Sequence, residues 1–243
     1  MPETRPQAPD RKEAPQQQGP VKEEDAGKER DKAPPPADGP EPNPAVDAPE
    51  PAAPVAAEDP ETLKTCLAEL KAMGAEFAGE MRIDDGNGCG IDRPIRLTKV
   101  APEVALEPAG VMRCQTALAL ARWVGGSVVP AAKVALPQAR LTAVNQASAY
   151  VCRKRNGAQT GKISEHAHGN AVDIASFQFT NGKTVPIEPR QKDSTLEGAF
   201  QRTVTASGCL WFTTVLAPGS DAAHENHLHL DVIERKGGYR YCW

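Results

Sequence analysis

Fifteen of the chain's 23 prolines fall within its first 60 residues, a stretch with no cysteine and no aromatic residue. There 7 Lys/Arg face 14 Asp/Glu, a net charge of -7. So few large apolar side chains cannot offset the entropy lost on ordering, so residues 1–58 are expected to be a disordered, Pro-rich acidic linker. The residues able to build a core lie in 59–243, a length that suits one domain. From residue 61 onward, 21 basic and 18 acidic groups leave a charge of +3, which suits an acidic polymer. Nothing resembles a nucleic-acid-binding module, and no nucleic acid is expected as a partner.

All six cysteines (Cys66, Cys89, Cys114, Cys152, Cys209, Cys242) lie in the second part, no two closer than 23 residues. The short paired spacing of a structural zinc module is absent. An even, widely spread set reads as up to three disulfides made in an oxidising compartment, with reduced buried thiols as the alternative. Sequence does not choose among the pairings, although Cys242 would tie down the C-terminus. No apolar stretch has the length of a membrane helix. Met1-Pro2-Glu3-Thr4-Arg5 does not open a secretory signal. An oxidising location, the periplasm or cell envelope, therefore implies a signal or membrane anchor outside this sequence, with the tail as spacer.

Asp59-Pro60-Glu61 is a helix start, followed by Leu63, Cys66, Leu67, Leu70 and Met73 on one face until Gly74. Weak strands are expected around 95–100. A second helix is expected over 111–124, with Gly125-Gly126 at its end. Residues 141–152 read as strand, turn, strand, the second strand being 149–152. Ala171–Phe179, with β-branched and aromatic residues before Asn181-Gly182, reads as a hairpin returning through 184–187. Ser194-Thr195-Leu196-Glu197 has capping-box form and opens a helix towards Gly208. Trp211–Leu216 and His227–Ile233 are further strands. Helices first and strands later give an α+β fold, a small, mainly antiparallel sheet flanked by helices.

All five histidines fall in two windows, Ser164–Asp173 and His224–Asp231. Alternate residues of a strand share a face, so His227 and His229 point one way while Leu228, Leu230 and Val232 face the core. If the two strands are neighbours, His166, Asp173 and His229 converge with one open position. Three protein ligands plus water is the form of a catalytic zinc site. Nitrogen and carboxylate donors suit Zn²⁺ best, with Co²⁺, Ni²⁺ and Mn²⁺ as alternatives.

Ser164-x-His166-x-x-Gly169-x-Ala171-x-Asp173 resembles the S-x-H-x-x-G-x-A-x-D signature of the lysostaphin and D-Ala-D-Ala metallopeptidase group. These zinc enzymes cut the stem peptides of peptidoglycan. The resemblance implies His166, Asp173 and His229, the last histidine of an H-x-H, as the zinc ligands. Across essentially all of 61–243 the chain is also similar to the bacterial extensin-like C-terminal domain. That similarity rests on the cysteines, Gly88-Cys89-Gly90-Ile91, the Ala-rich helix ending at Trp123 and Tyr150-Val151-Cys152-Arg153.

One departure from the pattern bears on the reaction. The carboxypeptidase branch places a glutamate three residues before the third ligand, where this chain has Asn226. His224, His227 and His229 instead follow the H-x-x-H-x-H spacing of murein endopeptidases. The resemblance thus implies a zinc-dependent endopeptidase acting on peptidoglycan cross-links. The alternatives are a D,D-carboxypeptidase and a non-catalytic wall-binding module. His227 is the first choice for general base or stabiliser, His224 the second and Glu225 a weaker third, on the expectation that strand alternation turns it towards His227. Arg153 is the expected electrostatic clamp, with Arg155 as substitute. Ser164 and His168 are expected to brace the loop, His168 being otherwise exposed.

Overall fold

In a computed structural model of the protein, residues 54–243 are described. The expected linker lies outside them except for its last five residues, 54–58. Among the described residues no helix is long and apolar enough to cross a membrane.

Helix α1 (Pro60–Ala72) begins as expected, Asp59 accepting from the Thr62 backbone N–H at 2.8 Å, and buries Leu63, Cys66 and Leu70. Five strands then come before the next helix, so the expected order of helices first and strands later is corrected. They are β1 (Glu76–Gly79), β2 (Ile83–Gly86), β3 (Cys89–Ile91), β4 (Ile95–Ala101) and β5 (Val104–Met112). Val111 and Met112 end β5, and α2 spans Cys114–Trp123, three residues inside the start expected for it. Gly125-Gly126 does not stop the run, which passes through a wide π turn (Val124–Val128) into α3 (Val129–Ala135). A side chain on Gly126 would meet the Trp211 ring at 2.9 Å, so this glycine gives Trp211 its place, with the indole N–H donating to Ser127 Oγ at 3.1 Å.

The remaining elements are β6 (Leu141–Ser148), β7 (Ala171–Phe179), β8 (Thr184–Pro186), α4 (Leu196–Trp211), β9 (Thr214–Leu216), β10 (Leu228–Asp231) and β11 (Tyr241–Cys242). Residues 149–152 form no strand, because the chain bends away after Ser148. The residue capping α4 is Thr195, whose Oγ1 accepts from the Gly198 N–H at 3.1 Å; the expected Ser194–Glu197 box does not form, and Glu197 pairs with Lys183. Trp211 ends that helix and does not open a strand.

Nine strands make one mixed sheet in the order β1-β4-β5-β6-β7-β10-β9-β11, with β8 also on β7. Only β5–β6 and β9–β11 run parallel. The architecture is α+β, with a sheet larger than expected. A separate hairpin joins β2 and β3. Trp123 of α2 is buried, donates its indole N–H to the Val204 carbonyl at 2.9 Å, and packs on Phe177 and Phe212 at 6.0 and 6.3 Å. Alternation then divides the strands: Val172, Ile174, Leu228 and Leu230 join this core, which leaves Asp173, His229 and Asp231 on the other face.

Three disulfides form, Cys66–Cys114 joining α1 to α2, Cys89–Cys152 joining β3 to the segment after β6, and Cys209–Cys242 holding β11 to α4. The last ties the C-terminus, as expected. At the other end, before the expected boundary at 59, Val55 is buried and the half-buried Glu58 has its side chain covered. Glu58 lies 3.1 Å from Arg113 Nε and donates its backbone N–H to Asp92. Burial pushes the Glu58 carboxyl up, against the opposing charge of Arg113. Relative to a chain starting at Pro54, one starting at Asp59 exposes the Val55 contact and strips Arg113 of its partner. It is expected to lose about 2–3 kcal/mol and to melt about 5–10 °C lower in calorimetry.

Candidate metal centre

His229 on β10 lies directly opposite Asp173 on β7, flanked by the Leu228–Ile174 and Leu230–Val172 pairs. The register that buries the leucines therefore also sets the imidazole against the carboxylate. His166 arrives from a 3-10 turn (Glu165–His168) whose N-cap is Ser164, the Ser164 Oγ accepting from the His166 N–H at 3.4 Å. The turn ends on Gly169 in the left-handed conformation (φ +68°), where a side chain would collide with Ile91. The Gly169 carbonyl accepts from the Arg113 N–H at 2.9 Å and from Thr116 Oγ1 at 2.8 Å, tying the loop to the start of α2.

Three atoms meet at the centre. His166 Nε2 is 3.1 Å from Asp173 Oδ1 and 3.1 Å from His229 Nδ1, and His229 Nδ1 is 3.0 Å from Asp173 Oδ1. The outward nitrogens are already committed: His166 Nδ1–H donates to the Ala149 carbonyl at 2.6 Å and His229 Nε2–H to Asp231 Oδ2 at 3.1 Å. Two imidazole lone pairs and a carboxylate oxygen therefore face one point, and all three residues are buried. Such a triangle is stable only around a positive charge. Bonds of about 2.0–2.1 Å to a tetrahedral ion place ligand atoms about 3.3 Å apart, so the three could hold a metal ion.

The electrostatics agree. Without a metal ion, protons on the inner nitrogens supply that positive charge: burial alone would raise the Asp173 carboxyl, but hydrogen bonds from protonated His166 and His229 hold it well below the usual carboxylate range. Burial opposes charge on His229, yet Asp173 and Asp231 on either side push that imidazole up to about 9. Asp231, itself held down chiefly by His229 and Thr214 against burial, accepts from Thr214 Oγ1 at 2.6 Å and from the Ile233 N–H at 3.1 Å. Metal-binding histidines commonly anchor their second nitrogen on a carboxylate in this way.

His227, His224 and Arg153 border the triangle. His227 sends Nε2 to within 3.8 Å of Asp173 Oδ1 while its Nδ1–H donates to Asn226 Oδ1 at 2.9 Å. Its pKa is held below the ordinary value, first by burial and then by the neighbouring histidines, with Asp173 opposing. His224 is buried, donates Nδ1–H to Asp221 at 2.7 Å, and packs its ring 5.1 Å from His227 and 5.7 Å from His229. Arg153 Nη2 lies 3.7 Å from Asp173 Oδ2. Arg153, His166, His224 and His229 share the wall of a cleft of about 150 Å³.

Three expectations change. Residues 224–227 form a 3-10 turn and bend rather than strand, so alternation does not turn Glu225 inward and it is exposed. The same geometry brings His227 to the site from just before β10, not from within it. His168 is half-buried and takes no part in the hydrogen bonds that brace the loop; Asn170 Nδ2, donating to Glu165 Oε2 at 3.0 Å, does. Asp231 carries no role in the sequence-based expectations, although its place two residues after His229 puts it on the same face of the strand. Thr214 and the Ala149 carbonyl come from distant segments, and nothing local signals them.

Residues 64–243 match the family model described as the extensin-like protein C-terminus, and the chain belongs to that family. No curated protein and no solved structure matches it.

His166→Ala and Asp173→Ala each leave two ligands, so bound metal measured by elemental analysis after loading with Zn²⁺ or Co²⁺ and dialysis is expected to fall to background. Asp231→Asn keeps the three ligands but weakens the anchor on His229. A competition titration against a chromogenic chelator is expected to show metal affinity lowered about 10–100-fold.

Proposed function

We propose that this extensin-like domain is a zinc-dependent peptidoglycan hydrolase that cuts stem-peptide amide bonds, acting as an endopeptidase on cross-links. The observation that carries the reading is the converging triangle of His166, Asp173 and His229 with His227 Nε2 turned towards it. The Ser164–Asp173 pattern, similar to that of the lysostaphin and D-Ala-D-Ala metallopeptidases, supplies the substrate class. His166, Asp173 and His229 would hold a zinc ion, which would supply the Lewis acidity needed to activate water and polarise a scissile carbonyl.

The protein's own groups do the rest. Asn226 fixes the proton on His227 Nδ1, which leaves Nε2 free to take a proton from the attacking water and pass it to the leaving amine. Asn226 thus orients a histidine base where the carboxypeptidase branch has a glutamate. His224, packed on both His227 and His229, holds the ring in place and is the second candidate for the proton. Arg153 steadies Asp173 through Oδ2 and adds positive charge beside the developing oxyanion.

The cations around the cleft favour an endopeptidase. Arg155 faces Glu165 at 3.5 Å, Arg153 faces Asp173, and Arg235 donates to the Thr213 carbonyl and Thr214 Oγ1 at 2.8 and 2.6 Å. A terminal carboxylate would have to compete for each of them. Three disulfides support an oxidising location such as the periplasm or cell envelope.

Digestion of purified peptidoglycan, read as muropeptide masses, tests this. Expected is loss of cross-linked dimers with a matching rise in monomers, abolished by chelator and by Asp173→Ala and slowed about 10²–10⁴-fold by His227→Gln. Release of terminal D-Ala alone would reassign the enzyme to the carboxypeptidase branch. No digestion despite bound zinc would make the domain a wall-binding module.

A further inference from the structure

Beyond the metal ligands, the cleft continues onto the last strand of the sheet. Tyr241 on β11 is in register with Thr214 on β9, and Thr214 with Asp231 on β10. At about 4.8 Å per strand, Tyr241 stands about 10 Å from Asp231 and lines the same cleft as His166 and His229. Tyr239, Tyr241 and Trp243 follow at every second residue and are exposed, Trp243 at 69 %. The Tyr241 and Trp243 rings are 6.2 Å apart, and Trp243 borders a second, mainly apolar cavity of about 460 Å³ beside α4. Arg235 stacks on Tyr239 at 5.4 Å, while Arg240 is held through the Phe212 carbonyl at 2.6 Å. The rings thus run outward from the metal cleft among fixed cations.

We infer that this aromatic ladder binds a glycan chain bearing carboxylates, laid from the metal cleft along β11. Sugar rings present apolar C–H faces that pack on the negative faces of aromatic rings, while their hydroxyls remain in water or meet polar rims. The exposed Lys236 and Arg240, in the same C-terminal segment as the rings, complement carboxylates on such a chain. Two other occupants fit less well. With two residues, β11 offers too few ladder groups for a peptide strand to add at this edge. A membrane surface covering Tyr241 would close the cleft that Tyr241 lines. The choice of a wall glycan rests on the proposed reading of the cleft; the ladder itself does not.

The test is isothermal titration of the full chain with soluble, peptide-free glycan strands from peptidoglycan, in parallel with Tyr241→Ala, Trp243→Ala and Trp243→Phe. Expected is saturable binding, weakened about tenfold by either alanine variant and largely restored by Trp243→Phe, with metal content and melting temperature unchanged. Strands that fail to bind, or that bind the alanine variants equally well, overturn the inference. So does ladder-dependent binding to anionic vesicles without binding to strands, which assigns the patch to a membrane. The strands contain no amide cross-link, so binding can succeed while peptide digestion fails, and the reverse.

Discussion

Two imidazole lone pairs and a carboxylate oxygen are forced to face one another, and much of the surrounding structure enforces that arrangement. Ala149 and Asp231 each hold the outward nitrogen of a ligand histidine as a donor, so neither ring can relieve the crowding by changing tautomer. Arg153 neutralises part of Asp173 from the far side. The result is a small volume of strongly negative potential inside a protein interior, where screening is weak and a cation gains most. Polar groups buried without such a partner would cost stability, so the centre makes physical sense only as a place for positive charge.

The sheet turns a pattern of twos into a division of labour. On β7 and β10 one set of alternate residues packs against Trp123 and the phenylalanines, while the other set supplies Asp173, His229 and Asp231. A slip of one residue would turn the polar set into the apolar core and the apolar set onto the site, so the hydrophobic core fixes the register on which the site depends. Gly169 plays the same part for His166, since only a residue without a side chain passes Ile91 at that turn.

Much of this was legible in the chain. The hairpin of β7 and β8 and the cap of α1 follow from local spacing, while the meeting of the two histidine windows was legible only on the condition, met in the fold, that β7 and β10 are neighbours. Less visible was anything decided by partners far along the sequence. β5 carries Pro108, yet β4 pairs with both its ends and β6 with Ala105–Glu107. Gly125-Gly126 reads as a helix stop because the room it makes for Trp211 belongs to α4. Residues 149–152 look like strand from their side chains but turn away, which sends the Ala149 carbonyl to His166 and joins Cys152 to Cys89. The anchor residues around the ligands were the hardest to see, apart from Asp231, because a backbone carbonyl has no signature in a sequence.

The spacing of the ligands has a kinetic side. His166 and Asp173 are seven residues apart and can come together within one turn and strand, but His229 lies 56 residues beyond Asp173. Closing that loop spans α4 and β9, and its entropic cost grows with the length of chain closed. If these three donors hold an ion, His166 and Asp173 alone would offer it a two-point hold, and the third point would come only with β10. Such an ion would act as a latch on a finished fold, drawing its affinity from order already in place.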